Sequence, residues 1–285
     1  DANLQFVLLT GVTKFSQVSV FSGFNQPKDI SMDPRYEALC GITEEELYQY
    51  FPAPIERLAV QYKCSVPQMK ERLKKEYDGY HFSDVLTDIY NPFSILNVFD
   101  SNRINDYWFK TGTPTYLIRL LNHTQENLNE LTGKYYDPSE FIDYKADVEM
   151  PLPMIYQSGY LTIKDYNMDM NTYLLDFPNN EVKKGFVTMV ANDYLKSKNL
   201  AGGWARDLVD ALKSADLERF RKLLTSFLAD IPYTMRRKET ERERERYFHY
   251  TFYLLMRMVS CYTVYTEKQQ SEGRVDCIVE TPNYI

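Results

Sequence analysis

The sequence predicts a helix-rich α/β chain, and three observations carry that expectation. An apolar run at Phe6–Thr10 reads as a buried strand of the parallel-sheet type, apolar on both faces. Two capping boxes, Thr43-Glu44-Glu45-Glu46 and Ser65-Val66-Pro67-Gln68, each announce a helix. Near the end, Gly273–Glu280 alternates strictly, with Val275, Cys277 and Val279 on one face and Arg274, Asp276, Ile278 and Glu280 on the other.

The first stretch ends in Thr10-Gly11, followed by polar Thr13, Lys14 and Ser16. Ligands of open α/β sheets sit at the carboxyl ends of strands, so Thr10, Thr13 and Lys14 stand where a phosphate could be sensed; on sequence alone a plain strand-to-loop exit is the favoured reading. No G-x-x-x-x-G-K-[ST] phosphate cradle occurs in the 285 residues: Gly133-Lys134 is followed by Tyr135. Phe21–Pro34 reads as loop. The helix opened by Thr43 runs through Leu47 and Phe51, and the helix opened by Ser65 sets Val66, Met69, Leu73 and Tyr77 on one face. Gly79 is its natural stop. Further helices start at Asn91-Pro92 and run from the region of Trp108 to Leu121.

Residues 124–150 are polar and acidic, a loop with a short helix. Tyr160–Tyr166 and Thr172–Phe177 then form a hairpin after a helical turn at Met154–Gly159, and Asn179 caps the next helix. Helices followed by a hairpin suggest a winged-helix arrangement, which contacts protein as often as DNA. Gly202-Gly203 marks a linker, followed by helices Trp204–Lys213 and Asp216–Leu228, the second capped by Asp216. The mixed-sign run Arg236–Arg246 reads as a solvated helix start that becomes apolar from Tyr247. The last element is a hairpin of Tyr262–Glu267 and Arg274–Glu280 turning around Ser271–Gly273. An acid centred in such a strand is costly unless it is paired or binds a metal, which singles out Asp276. Glu267 on the preceding strand reads first as an exposed strand acid and second as a further metal ligand.

Composition narrows the function classes. A net charge of −7 argues against a nucleic-acid surface spread over the whole molecule and leaves room for a local basic groove. Four cysteines without CxxC spacing fit a reducing cytoplasm and give no zinc signature. No signal peptide or apolar run of transmembrane length points to a membrane. The start at Asp1 directly before an apolar run, and the stop after Thr281-Pro282-Asn283, suggest a fragment of a larger protein.

Several motifs together resemble the bacterial AAA-ATPase-like family. They include Leu9-Thr10-Gly11-Val12-Thr13-Lys14-Phe15-Ser16, Tyr77-Asp78-Gly79-Tyr80-His81-Phe82, Tyr90-Asn91-Pro92-Phe93-Ser94, Tyr107-Trp108-Phe109 and Tyr156-Gln157-Ser158-Gly159-Tyr160-Leu161-Thr162. The resemblance implies the remnant of a P-loop ATPase sheet in residues 1–42, a helical lid and winged-helix-like region in 43–198, and the start of a PD-(D/E)xK nuclease-like α/β domain in 199–285. It implies ATP and Mg²⁺ as cofactors of the parent protein, with Thr10 matching the γ-phosphate sensor and Lys14 a charge partner. It makes Asp276 the catalytic first acid and a metal ligand, with Glu267 a further ligand. The Glu-x-Lys half of that pattern falls outside these residues, so the fragment itself is expected to be inactive and not to bind ATP or Mg²⁺ tightly. Nucleic acid is the implied partner, a homo-oligomer is compatible, and the alternative is a STAND-type signalling or scaffold ATPase whose nuclease-like domain only binds.

Overall fold

The computed structural model describes residues 5–11, 28–108, 115–124, 126–142, 150–195, 203–230, 241–259, 263–270 and 273–280. The chain divides into two compact units, Asp1–Asn179 and Asn180–Ile285. It is helix-rich with small antiparallel sheets. No helix of the described residues is long and apolar enough to cross a membrane.

In the first unit a short ladder pairs β1 (Ile42–Thr43) with β2 (Ile89–Tyr90), Ile42 opposite Tyr90 and Thr43 opposite Ile89. Around it pack α1 (Glu44–Tyr50), α2 (Pro52–Gln61), α3 (Val66–Tyr77) and α4 (Pro92–Ser101). Their shared core includes Leu47, Ile55, Leu58, Met69, Leu73, Ile95 and Val98. The helix starts follow the sequence expectation. Thr43 Oγ1 accepts from Glu46 N at 3.3 Å while Glu46 returns a carboxylate to Thr43 N, and Asn91 Oδ1 accepts from Phe93 N and Ser94 N. At α3, Ser65 Oγ accepts from Gln68 N at 3.3 Å and Gln68 Oε1 accepts from Ser65 N at 2.9 Å. Ser65→Ala removes one side of that exchange and is expected to cost about 1 kcal/mol, read as a lower urea midpoint for the chain.

The second half of this unit carries α5 (Thr115–Thr124), α6 (Leu128–Leu131), α7 (Pro138–Phe141) and α8 (Pro151–Gln157). A three-stranded antiparallel sheet runs in the order β3 (Lys134–Tyr136), β5 (Thr172–Asp176), β4 (Thr162–Asn167). The β4–β5 hairpin is the expected one. The third strand lies in a stretch the sequence reads as loop, because three residues between polar neighbours give no periodic signal. Fully buried Phe141 meets Tyr156 and Tyr173 edge-on, with ring centroids 4.7 and 5.8 Å away.

Phe6–Thr10 is a correction. No strand forms there, and Phe6 is 80% exposed with Val7, Leu8 and Leu9 also exposed. An extended apolar run becomes a strand only where a second strand satisfies its backbone, and among the described residues none pairs with it.

The second unit holds α9 (Asn180–Leu195), α10 (Gly203–Lys213), α11 (Leu217–Asp230), α12 (Glu241–Val259) and the hairpin β6 (Thr263–Gln270), β7 (Gly273–Glu280). Tyr194 ties α9 to α12, stacking on Tyr247 at 5.6 Å and meeting Tyr250 edge-on at 4.8 Å. Trp204 ties α10 to α11 through the Phe227 ring and through Nε1, which donates to the Leu223 carbonyl at 3.1 Å. Asp216 caps α11, its Oδ1 accepting from Arg219 N at 3.0 Å. The start of the mixed-sign run, residues 236–240, lies outside the described residues.

Candidate functional site

The terminal hairpin is longer than the sequence suggests, eight residues on each strand. Its register pairs Thr266 with Cys277 and Lys268 with Val275. Between these two pairs the ladder sets Glu267 opposite Asp276. Residues directly opposite on antiparallel strands have Cβ atoms about 5 Å apart, and like charges there are destabilising unless a cation or donor offsets them. The two acids chosen from sequence on separate grounds thus occupy one rung of the ladder. Thr10 is exposed in a stretch without regular structure. Lys14 lies outside the described residues. Among the described residues no group of three His, Cys, Asp or Glu is placed to hold a metal ion.

A second polar centre, inside the first unit, was not foreseen. It surrounds the turn after α3. Asp78 is 1% exposed and among the described residues no side chain hydrogen-bonds either of its carboxylate oxygens. Lys74, one helical turn back, brings Nζ to 4.0 Å from Asp78 Oδ2, but the same ammonium lies 3.0 Å from Asp88 and 3.4 Å from Glu44. One cation is shared by three acids. Burial pushes the Asp78 carboxyl up to about 7, with Asp88 and Glu44 adding to the rise and the Gly79 backbone N–H and Lys74 opposing it. Asp88 goes the other way: burial raises it, but hydrogen bonds from His81 and Lys74 win and hold it below the usual carboxylate range. His81 reaches Asp88 Oδ1 through Nε2 at 2.7 Å, and its Nδ1–H donates to the Ile163 carbonyl at 2.7 Å. Burial, with Asp78 next, raises the phenol of Tyr90 on β2.

A bulge in β4 supplies the last member. Ile163 pairs with Leu175 and Asp165 with Leu174, leaving Lys164 as the extra residue. A bulge re-aims its side chain. Lys164 Nζ donates to the carbonyls of Gly79 (2.7 Å) and Pro178 (2.8 Å), and burial lowers its pKa. Thr162 Oγ1 accepts from His81 N and donates to His81 O, and Asn179 Nδ2 donates to the Asp78 carbonyl at 3.1 Å. The signal available in sequence was Tyr77-Asp78-Gly79-Tyr80: an acid between aromatics of a core helix end, followed by a glycine.

Residues 243–285 match the family model of the PD-(D/E)XK nuclease superfamily. That segment holds most of α12 and the whole β6–β7 hairpin, so this part of the chain is nuclease-superfamily-like. Over 281 residues the chain is also 31% identical to "Uncharacterized protein in vnfD 5'region" of Azotobacter chroococcum mcd 1, an alignment that takes in 98% of this chain and 52% of that protein. The chain spans about half the length of this curated relative. No solved structure matches.

Proposed function

We propose that β6–β7 is one half of a metal-dependent phosphodiester-cleaving site, and that the whole protein is an AAA-ATPase-like protein whose nuclease domain acts on nucleic acid in the cytoplasm. The observation that carries this reading is the nuclease-superfamily match over 243–285, with Asp276 centred in β7 and Glu267 on the same rung. The donor set fits a hard cation: two carboxylates offer anionic oxygens, the ligands Mg²⁺ takes. When bound, such a cation would supply an activated water and offset charge on the phosphate. Asp276 and Glu267 would hold it by oxygen. Two ligands are too few for tight binding, and no Glu-x-Lys follows Asp276 within these 285 residues. The chain by itself is therefore expected to be inactive. ATP binding belongs to this proposal through the motif Leu9–Ser16 alone.

The test is cleavage of single- and double-stranded DNA and RNA by the full-length protein with Mg²⁺ or Mn²⁺, against the same mixture with a chelator. Metal-dependent cutting supports the proposal. A net charge of −7 favours a second reading, in which a STAND-type switch uses the nuclease-like domain only to bind partners. Nucleotide-dependent oligomerisation with no cleavage under any metal would decide for it.

A further inference from the structure

We propose that the turn Asp78–Gly79 is a proton-controlled clasp: it is closed while Asp78 carries a proton, and ionisation of Asp78 opens it, freeing the segment Phe177–Asn179. The geometry points to this in three ways. First, Asp78 is nearly fully buried and, unlike Asp88 and Glu44, takes no side-chain hydrogen bond among the described residues; the Gly79 backbone N–H alone favours its ionised form by hydrogen bonding. A buried carboxylate so sparsely supplied with donors is costly, whereas the neutral acid is cheap to keep in the same place. Second, the ammonium within salt-bridge distance of Asp78 is shared. Lys74 lies closer to Asp88 and Glu44 than to Asp78, and protonating Asp78 leaves it two acids rather than three. Third, what the turn holds is chain that leaves the unit. The Asp78 carbonyl accepts from Asn179, and Lys164 bridges the carbonyls of Gly79 and Pro178. These bonds fasten the residues that run directly into α9.

The titratable and charged groups around Asp78 come from every neighbouring element: Glu44 on α1, Lys74 on α3, Asp88 and Tyr90 at β2, and Lys164 on β4. His81, beyond Asp88, completes the set. The Gly79 backbone N–H, Lys74 and Lys164 favour the ionised form of Asp78; burial, Asp88 and Glu44 oppose it. The sign follows from linkage. An acid whose closed-state pKa lies above its open-state value contributes closure energy that is fully present below the open-state pKa. That contribution is lost as pH rises to the closed-state pKa, and the loss is complete above it. With the ordinary value at 3.8 and the closed value about 7, the clasp weakens between those limits and not above.

Hydrogen exchange of the chain, corrected for intrinsic rates, reads this at the amides of Tyr80 and His81, which donate to Ile89 O and Thr162 Oγ1. The opening constant is expected to rise about twentyfold from pH 5.5 to 7.5 and to level off beyond. The amide of Leu73, inside α3, is expected to keep its protection over the same range. Asp78→Asn should abolish the rise, and Glu44→Gln should shrink it and move it to lower pH. A flat opening constant in the unmodified chain overturns the proposal, as does an equal rise at Leu73, which would mean global unfolding. If Asp78→Asn does not fold, the unmodified chain and Glu44→Gln still decide the matter.

Discussion

Asp276→Ala in the full-length protein is expected to lower metal-dependent cleavage of nucleic acid by about a hundredfold or more, without loss of fold. The argument starts from the strand. Asp276 is centred in an eight-residue ladder, where its backbone donor and acceptor serve β6–β7 whatever its side chain. Alanine keeps the ladder and removes one of two carboxylates on the rung it shares with Glu267. The backbone ladder does not depend on this side chain, so the thermal midpoint should move little. The same substitution should weaken Mn²⁺ binding measured by calorimetry. Unchanged cleavage with Asp276→Ala would remove this acid from the chemistry, and the nuclease reading would lose the residue it rests on.

Gly79→Ala is expected to destabilise the first unit by about 3 kcal/mol. Gly79 has φ of +87°, where an L side chain is strained by about 1–2 kcal/mol. A Cβ there would also stand 2.6 Å from the Pro178 carbonyl oxygen and 2.9 Å from Lys164 Nζ. The lysine tip can swing aside, but the carbonyl is backbone, and moving it breaks the bond Lys164 makes to it. Gly133→Ala separates the two costs. Gly133 has φ of +69° and nothing within 4 Å of the added carbon, so only the backbone strain remains, about 1 kcal/mol. Urea unfolding of the two variants reads the difference. Equal losses would mean that the crowding at Gly79 is absorbed without cost.

Local chemistry was legible in the sequence and long-range placement was not. Thr43, Ser65, Asn91 and Asp216 could be read as caps because a cap acts on amides two or three residues away. The β4–β5 hairpin could be read because its strands flank a short polar loop. Phe6–Leu9 misled because an apolar run records the wish for a partner strand, not its presence. The alternation around Asp276 placed that acid in a strand, but the register that sets Glu267 opposite it depends on the turn between the strands. The Asp78 centre was beyond reach for a different reason. Its turn is built from α1, α3, β2, the β4 bulge and the residues before α9, and no single window contains them. A bulge such as the one at Lys164 leaves no mark in a period-two pattern.

The spacing of that centre along the chain sets an order of assembly. The helices α1 to α4 and their ladder join residues within a span of 42–101, so they can collapse early with little loop entropy to overcome. Lys164 meets Gly79 across 85 residues and Asn179 meets Asp78 across 101. Those bonds can form only after the three-stranded sheet has arrived with its bulge in place. Synthesis from the N-terminus would thus present the helical half first and leave its most polar corner open to water until the hairpin emerges. The backbone carbonyls of Asp78 and Gly79 spend that interval without the Asn179 and Lys164 donors that later close the turn.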